Sequence, residues 1–325
     1  MGDRGVTAPR ARVRSRSVPF TSESIPNLTG KTALITGANS GLGLESARAL
    51  AAKGAHVILA VRSEEKGKQA LEELRAEQPL ASLEVLSLDL SSLASIRRAA
   101  KALLAAHPRL DILLNNAGVM ATPYALTEDG FELQFGTNHL GHFAFTGLIF
   151  SLLLKAPQAR VVNVSSQVHL VGRMRFDDLA WTQRYSKWGA YNMSKVANLL
   201  FTYELARRIS EKGLSIISAA AHPGYAATQL QQRGAELSGA NLRAKLIKLL
   251  NPIAGQSAAM GALPQLYAAT APDVMPCDYL GAGGLFGARG YPKKVRSAKH
   301  SYDAQAMRTL WEMSEQLTSV RYEAL

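Results

Sequence analysis

Two kinds of hydrophobic pattern alternate along this chain. Short apolar runs stand between glycines or polar residues at 31–36 (KTALIT), 55–60 (AHVILA), 83–88, 111–114, 160–164 (RVVNV) and 214–220. Their length and their β-branched content predict buried strands. Between them, apolar positions recur three and four apart, as at Leu44, Ala47, Leu50 and Ala51. That spacing puts one apolar stripe on a helix. Further helices are predicted over 64–77, 92–106, about 132–154, a segment through Tyr191 that ends near 211, 255–269 and 303–317. Strands alternating with helices predict an α/β fold: a doubly wound parallel sheet of about seven strands, with helices on both faces.

Composition changes this picture mainly at the start. Of 37 Lys and Arg against 25 Asp and Glu, net +12, five arginines (Arg4, Arg10, Arg12, Arg14 and Arg16) fall in the first twenty residues. That stretch is also rich in serine, so residues 1–27 are expected to be a disordered basic leader, with one domain over 28–325. Nucleic acid is not expected as a partner, because aromatics do not interleave with the basic residues in a recognised pattern. The chain has no uninterrupted apolar window long enough for a membrane span. A single cysteine, Cys277, excludes an internal disulfide framework and suits a cytoplasmic location. It is expected to be buried or half-buried.

Chemistry enters at the strand ends. The first strand runs into TGANSGLG and then a helix, the context in which a glycine motif is credible. Gly37 allows a tight turn, while Gly41 and Gly43 let the backbone approach a pyrophosphate at a helix N-terminus. Past the second strand the sequence reads Ala60-Val61-Arg62-Ser63, with no carboxylate to bind ribose hydroxyls. A guanidinium there suits a 2′-phosphate, which favours NADP(H) over NAD(H). Asp89, Asn116, Ser166 and Pro223 also follow strand ends, where such sheets form their crevice. Tyr191 and Lys195 stand four apart on a predicted helix, hence on one face. A phenol ionises near pH ~10, and a neighbouring cation pulls that value toward neutrality, making a usable acid–base group.

TGANSGLG, Asp89, NNAG, Asn138, Ser166, YNMSK (191–195) and the Pro-Gly after the sixth strand together resemble the short-chain dehydrogenase/reductase family over about residues 28–270. TNHLGHF and NVSS are similar to its retinol dehydrogenase and protochlorophyllide reductase branch. The resemblance implies a single Rossmann-type domain that interconverts a carbonyl and an alcohol of a small molecule. It implies Tyr191 as acid in reduction and base in oxidation, with Lys195 lowering its pKa and holding the cofactor ribose. Ser166 would bind the substrate oxygen, with Ser165 the lesser candidate, and Asn138 would position a relay water. Gly37, Asn39, Ser40, Gly41, Leu42 and Gly43 would border the pyrophosphate, and Asp89 and Leu90 the adenine. Asn116, Ala117 and Gly118 would lie along the cofactor, and Pro223, Gly224 and Thr228 on the nicotinamide side. The family often assembles as homo-oligomers.

The less regular stretch 225–252 is expected to form a substrate lid, with the basic, apolar segment 242–250 covering the substrate or touching lipid. His139 and His142, three apart on a helix, are read as packing or capping residues rather than a metal pair. Trp181, Tyr185 and Trp188 either wall the substrate pocket or pack elsewhere. An idle cofactor-sensing or scaffold protein, and an isomerase or epimerase on the same fold, are the competing functions. Retention of Tyr191, Lys195, Ser166 and Asn138 weighs against the first, and the glycine spacing against the second.

Overall fold

A computed structural model describes residues 18–225, 256–284 and 287–325. All six apolar runs form strands: β1 (Thr32–Thr36), β2 (His56–Val61), β3 (Leu83–Ser87), β4 (Ile112–Asn115), β5 (Ala159–Val164) and β6 (Ile216–Ala221). Two more follow, β7 (Tyr279–Ala282) and β8 (Pro292–Val295), giving one eight-stranded sheet in the order β3-β2-β1-β4-β5-β6-β7-β8. Every pair is parallel except β7 with β8. The count therefore exceeds the expected seven by an antiparallel edge strand, which starts on a proline, as edge strands tolerate. The chain winds outward from β1 to β3, then returns across β1 to start β4. Between β1 and β4 the strand order reverses, and it is at the carboxyl ends of the strands at such a reversal that sheets of this kind form their crevice.

Helices cover both faces. On one, α1 (Gly41–Ala52) and α8 (Ala258–Thr270) bury Leu44, Leu50, Leu263 and Leu266 against Ile35, Leu59 and Leu114. On the other, α3 (Leu93–Ala106) and α5 (Gly141–Leu148) bury Ile96, Leu103, Phe143 and Phe145 with Leu34, Ile58 and Val161. Serine hydroxyls accept first-turn amides at Ser63 ahead of α2 (Glu64–Glu77) and at Ser92 ahead of α3. The long α7 (Lys187–Glu211) buries most of its length against the sheet, and α9 (Ala304–Thr318) packs on it.

Several expectations are corrected. The single helix predicted over 132–154 is three short helices, α4 (Leu133–Phe135), α5 and α6 (Phe150–Leu154), with a π-helical turn at Gly136–Leu140. The turn's extra residue is accommodated by the Gly141 amide bonding Gly136 O, and Asn138 lies within it. π-Turns of this kind often mark functional positions. Residues 18–27, placed by composition in the leader, pack on the domain: Ile25 is buried and Phe20 stacks on Tyr267 at 4.7 Å. Cys277 is exposed, on a turn with φ +67°. The rest of the leader, Thr228 and the expected lid beyond Tyr225 lie outside the described residues. Among described residues, no helix is long and apolar enough to cross a membrane.

His139 is completely enclosed by Phe135, Phe143 and Phe201, and its Nε2 meets Ser314 Oγ at 2.9 Å. The Ser314 hydroxyl donates to Leu310 O, so Nε2 carries the proton and Nδ1 is a buried, unpartnered lone pair. Burial depresses its pKa to about 3, and that of buried His142 to about 4. Unfolded imidazoles bind protons near pH ~6.5, so the stabilisation is whole above that value and is lost as pH falls toward 3–4. Unfolding free energy is therefore expected to drop by about 1.4 kcal/mol per pH unit per histidine below pH ~6. His139→Phe, which keeps the aromatic packing, should flatten that slope in denaturant titrations at pH 4.5 and 7, and an unchanged slope would exclude His139 as a source.

Candidate active site

The first wall of the crevice is the turn from β1 into α1. Gly37 has φ +68°, a left-handed conformation that favours glycine. A β-carbon on Gly43 would stand 2.4 Å from Gly37 O and 2.7 Å from Asn116 Nδ2, so only glycine lets α1 pack this closely. Asn39, Ser40, Gly41 and Leu42 line the same turn, half-buried. Ser40 caps α1 in an extended conformation, yet its side chain accepts no first-turn amide. No acidic residue occupies that turn. Amides without a side-chain cap at a helix N-terminus fit an anion such as a pyrophosphate.

The second wall is the end of β4. Thr36 Oγ1 accepts the amides of both Asn116 and Ala117 at 2.9 Å, and Asn116 Nδ2 donates to Thr36 O at 2.8 Å. Gln265 reaches across from α8 to Asn116 Oδ1 at 3.2 Å. Gly118 lies beside Asn138, whose amide is fully engaged: Oδ1 accepts Val119 N at 2.7 Å, and Nδ2 donates to Val119 O and Ser194 Oγ. His142 Nδ1 donates to Asn138 O, and its Nε2 faces Thr36 Oγ1, both at 2.9 Å. The two histidines singled out as a pair thus serve different packing contacts. Arg62 follows β2 exposed, with no hydrogen bond or ion pair among the described residues. Asp89 accepts the amide and hydroxyl of Ser91, and Leu90 is buried beside it.

The floor is the start of α7 against the end of β5. The Tyr191 phenol lies close enough to Ser166 for that hydroxyl to favour its ionised form, while Ser165 turns inward and donates to Lys195 O at 2.8 Å. Lys195 lies one turn along, its Nζ 5.6 Å from the Tyr191 ring centre and donating to Val164 O at 3.1 Å. Burial governs both groups. It lifts the Tyr191 phenol to about 12, partly offset by the neighbouring Ser166 hydroxyl, and lowers Lys195 to about 8. The expected pull of the cation on the phenol is not seen in the protein alone, where burial disfavours the charged form of either residue.

Neighbouring contacts hold this floor in place. His169 Nδ1 donates to Ser166 O at 2.6 Å while Nε2 accepts Ala298 N at 3.1 Å, a pairing that requires the neutral ring. His222 Nδ1 accepts the Gly224 amide, and Gln256 donates to Pro223 O, fixing the turn after β6. Burial depresses His222 to about 4, so it too stays neutral. Trp188 is half-exposed and edge-on to Tyr191 at 6.2 Å. Trp181 is buried under the Arg175 guanidinium, and Tyr185 bonds Thr122 O and Glu132, so neither is free to line an open pocket.

A family profile described as short chain dehydrogenase matches residues 31–237. The chain belongs to the short-chain dehydrogenase/reductase family. It is 40% identical to mouse "Retinol dehydrogenase 12" over 98% of this chain and 95% of that protein. It is 38% identical to human "Retinol dehydrogenase 13" over 90% and 86%. Among solved structures, an uncharacterised Mycobacterium paratuberculosis protein superposes with a TM-score of 0.77 at 42% identity, over 94% of this chain and 99% of that one. A Beutenbergia cavernae protein described as an NAD(P)-dependent gluconate 5-dehydrogenase, with NADP at low occupancy, gives 0.57 at 27%, over 75% and 91%. This short-chain dehydrogenase/reductase is therefore an NAD(P)-dependent oxidoreductase acting on carbonyl and alcohol groups, of the retinol dehydrogenase-like branch.

Thr36, Val119, Ser194 and Gln265 were not read from the sequence as part of this short-chain dehydrogenase/reductase's crevice. Thr36 had a signal, a hydroxyl immediately before the glycine turn, and Gln265 another, a lone amide in an apolar helix. The main-chain role of Val119 had none. Gly43→Ala is expected to cost about 1–3 kcal/mol of stability through overpacking and to weaken dinucleotide binding. An unchanged denaturation midpoint would show that the turn has room.

Proposed function

We propose that this chain is a cytoplasmic, NADP(H)-dependent reductase or dehydrogenase of an apolar ketone, aldehyde or alcohol, with Tyr191 as its acid–base group. The observation that carries the reading is a buried Tyr191 beside Ser166 at the carboxyl end of β5, with Lys195 one helical turn away and its Nζ 5.6 Å from the ring. The α1 amides, Gly43 and Asn116 would hold the dinucleotide, which supplies the hydride when bound. Ser166 would hold the substrate oxygen and stabilise charge developing on it. Tyr191, protonated at neutral pH with its value near 12, is set to donate its proton to that oxygen in reduction. Lys195, with its value near 8, keeps its positive charge at neutral pH and so favours the phenolate left behind. Because the Asn138 amide is spent on Val119 and Ser194, its part is to fasten the 117–119 loop to α7.

Arg62 supports NADP(H): it is exposed, without a hydrogen-bond or ion-pair partner among the described residues, and followed by Ser63, with no carboxylate at the strand end. An apolar substrate is supported by exposed Leu170 and Val171 in the loop after Ser166 and by Trp188 beside Tyr191. The single cysteine supports a reducing compartment.

The decisive experiment follows oxidation of NADPH across aldehydes and ketones of rising apolar area, retinal included because the relatives are named retinol dehydrogenases. Turnover is expected for apolar carbonyls, whereas binding without turnover would favour the idle reading. Tyr191→Phe is expected to keep NADPH affinity and lose about 10²–10⁴-fold in turnover. Full activity in that variant would remove Tyr191 from the chemistry. Arg62→Ala should raise the NADPH dissociation constant about tenfold, one charge-assisted contact, and leave that for NADH unchanged. Equal effects on both cofactors would leave Arg62 without a phosphate to bind.

A further inference from the structure

At the opposite end of the sheet, where strands begin, three ligating side chains from three elements converge. His56 opens β2, Glu84 is the second residue of β3, and His107 closes α3. Parallel register sets Val57 beside Leu83 and Ile58 beside Glu84. Alternation then places His56 and Glu84 on one face of the sheet, the face that α3 covers. His107 Nε2 lies 2.7 Å from one Glu84 oxygen and His56 Nε2 lies 3.7 Å from the other. One ligand atom from each residue fits within 4.8 Å of the other two. The far nitrogen of His56 is tied to Ser82 Oγ at 2.8 Å, which fixes the ring with Nε2 toward the carboxylate. His107 is 12% exposed, His56 28% and Glu84 40%, so the cluster is recessed yet open to solvent on one side.

We propose that His56, Glu84 and His107 form a Zn²⁺ site, two imidazole nitrogens and a carboxylate oxygen leaving a fourth position for water. A simple imidazole–carboxylate pair accounts for His107 but not for His56, whose Nε2 is aimed at the same carboxylate from beyond hydrogen-bonding distance. A tetrahedral zinc with bonds near 2.0–2.1 Å needs ligand atoms about 3.3 Å apart, and with one ligand atom from each residue already within 4.8 Å of the others, small side-chain rotations would bring the three to that spacing. Two imidazoles select a borderline metal over Mg²⁺ or Ca²⁺, which take oxygen ligands. The ion would clip the edge strand β3 to β2 and to the end of α3, remote from the cofactor crevice.

The test is calorimetric titration of the full chain with Zn²⁺ in chelator-free buffer, with thermal unfolding in parallel. One equivalent is expected to bind, raising the midpoint by about 3–5 °C when free Zn²⁺ is about a hundredfold above the dissociation constant. Glu84→Gln and His107→Gln should each weaken binding by more than the roughly tenfold that losing an outer-shell partner costs. Unchanged NADPH affinity in both variants would show that they fold and that the effect is local. No saturable binding below 100 µM Zn²⁺, equal binding in the variants, or equal binding of Mg²⁺ would each overturn the assignment.

Discussion

One threonine hydroxyl joins the two halves of the sheet where they part. Thr36 ends β1, and its oxygen gathers the amides of Asn116 and Ala117 from the end of β4 while facing the buried ring of His142. His142 continues the chain to Asn138 O, and the Asn138 amide to Val119 and Ser194. These bonds lie in a buried, low-dielectric setting, where each satisfied group strengthens its neighbours and each lost partner strands the rest. Both walls of the crevice and the start of α7 are thus referred to one oxygen, and the spacing between turn, loop and helix cannot vary independently.

Electrostatics at the floor follow from the same enclosure. Charge is expensive there, so a phenol that titrates high and an ammonium that titrates low stand side by side. In such a setting Tyr191 keeps its proton at neutral pH. Around them, His169 spends both ring nitrogens on main-chain groups, which requires the neutral ring, and His222, kept neutral by burial, accepts the Gly224 amide through Nδ1. The imidazoles nearest the site therefore act as braces.

Most of the architecture could be read from the sequence, for a physical reason. Strands buried on both faces are written as continuous apolar runs, and the six runs all became strands. β7 and β8 escaped because they are four residues each and rich in glycine, proline and lysine, which leaves no run to see. The broken 132–154 helix escaped because its apolar spacing stays helical while the Gly141 amide bonds Gly136 O and the His142 ring bonds Asn138 O. Within the site, side chains that carry rare chemistry (Tyr191, Lys195, Ser166 and the glycines) were legible, since spacing alone restricts their geometry. Contacts made through main-chain atoms, such as Val119 to Asn138, leave no mark on residue identity. The effect of burial on Tyr191 was equally hidden, because it depends on what encloses the ring.

The antiparallel strand at the far margin of the sheet has a consequence for the molecule in crowded solution. β8 offers a neighbouring chain a proline first and then two lysines, and Lys294 is pinned by Asp278. A border so charged and so short gives a foreign polypeptide little to zip onto. The sheet therefore stops growing where the fold intends, and an apolar interior eight strands wide stays shielded from runaway self-assembly.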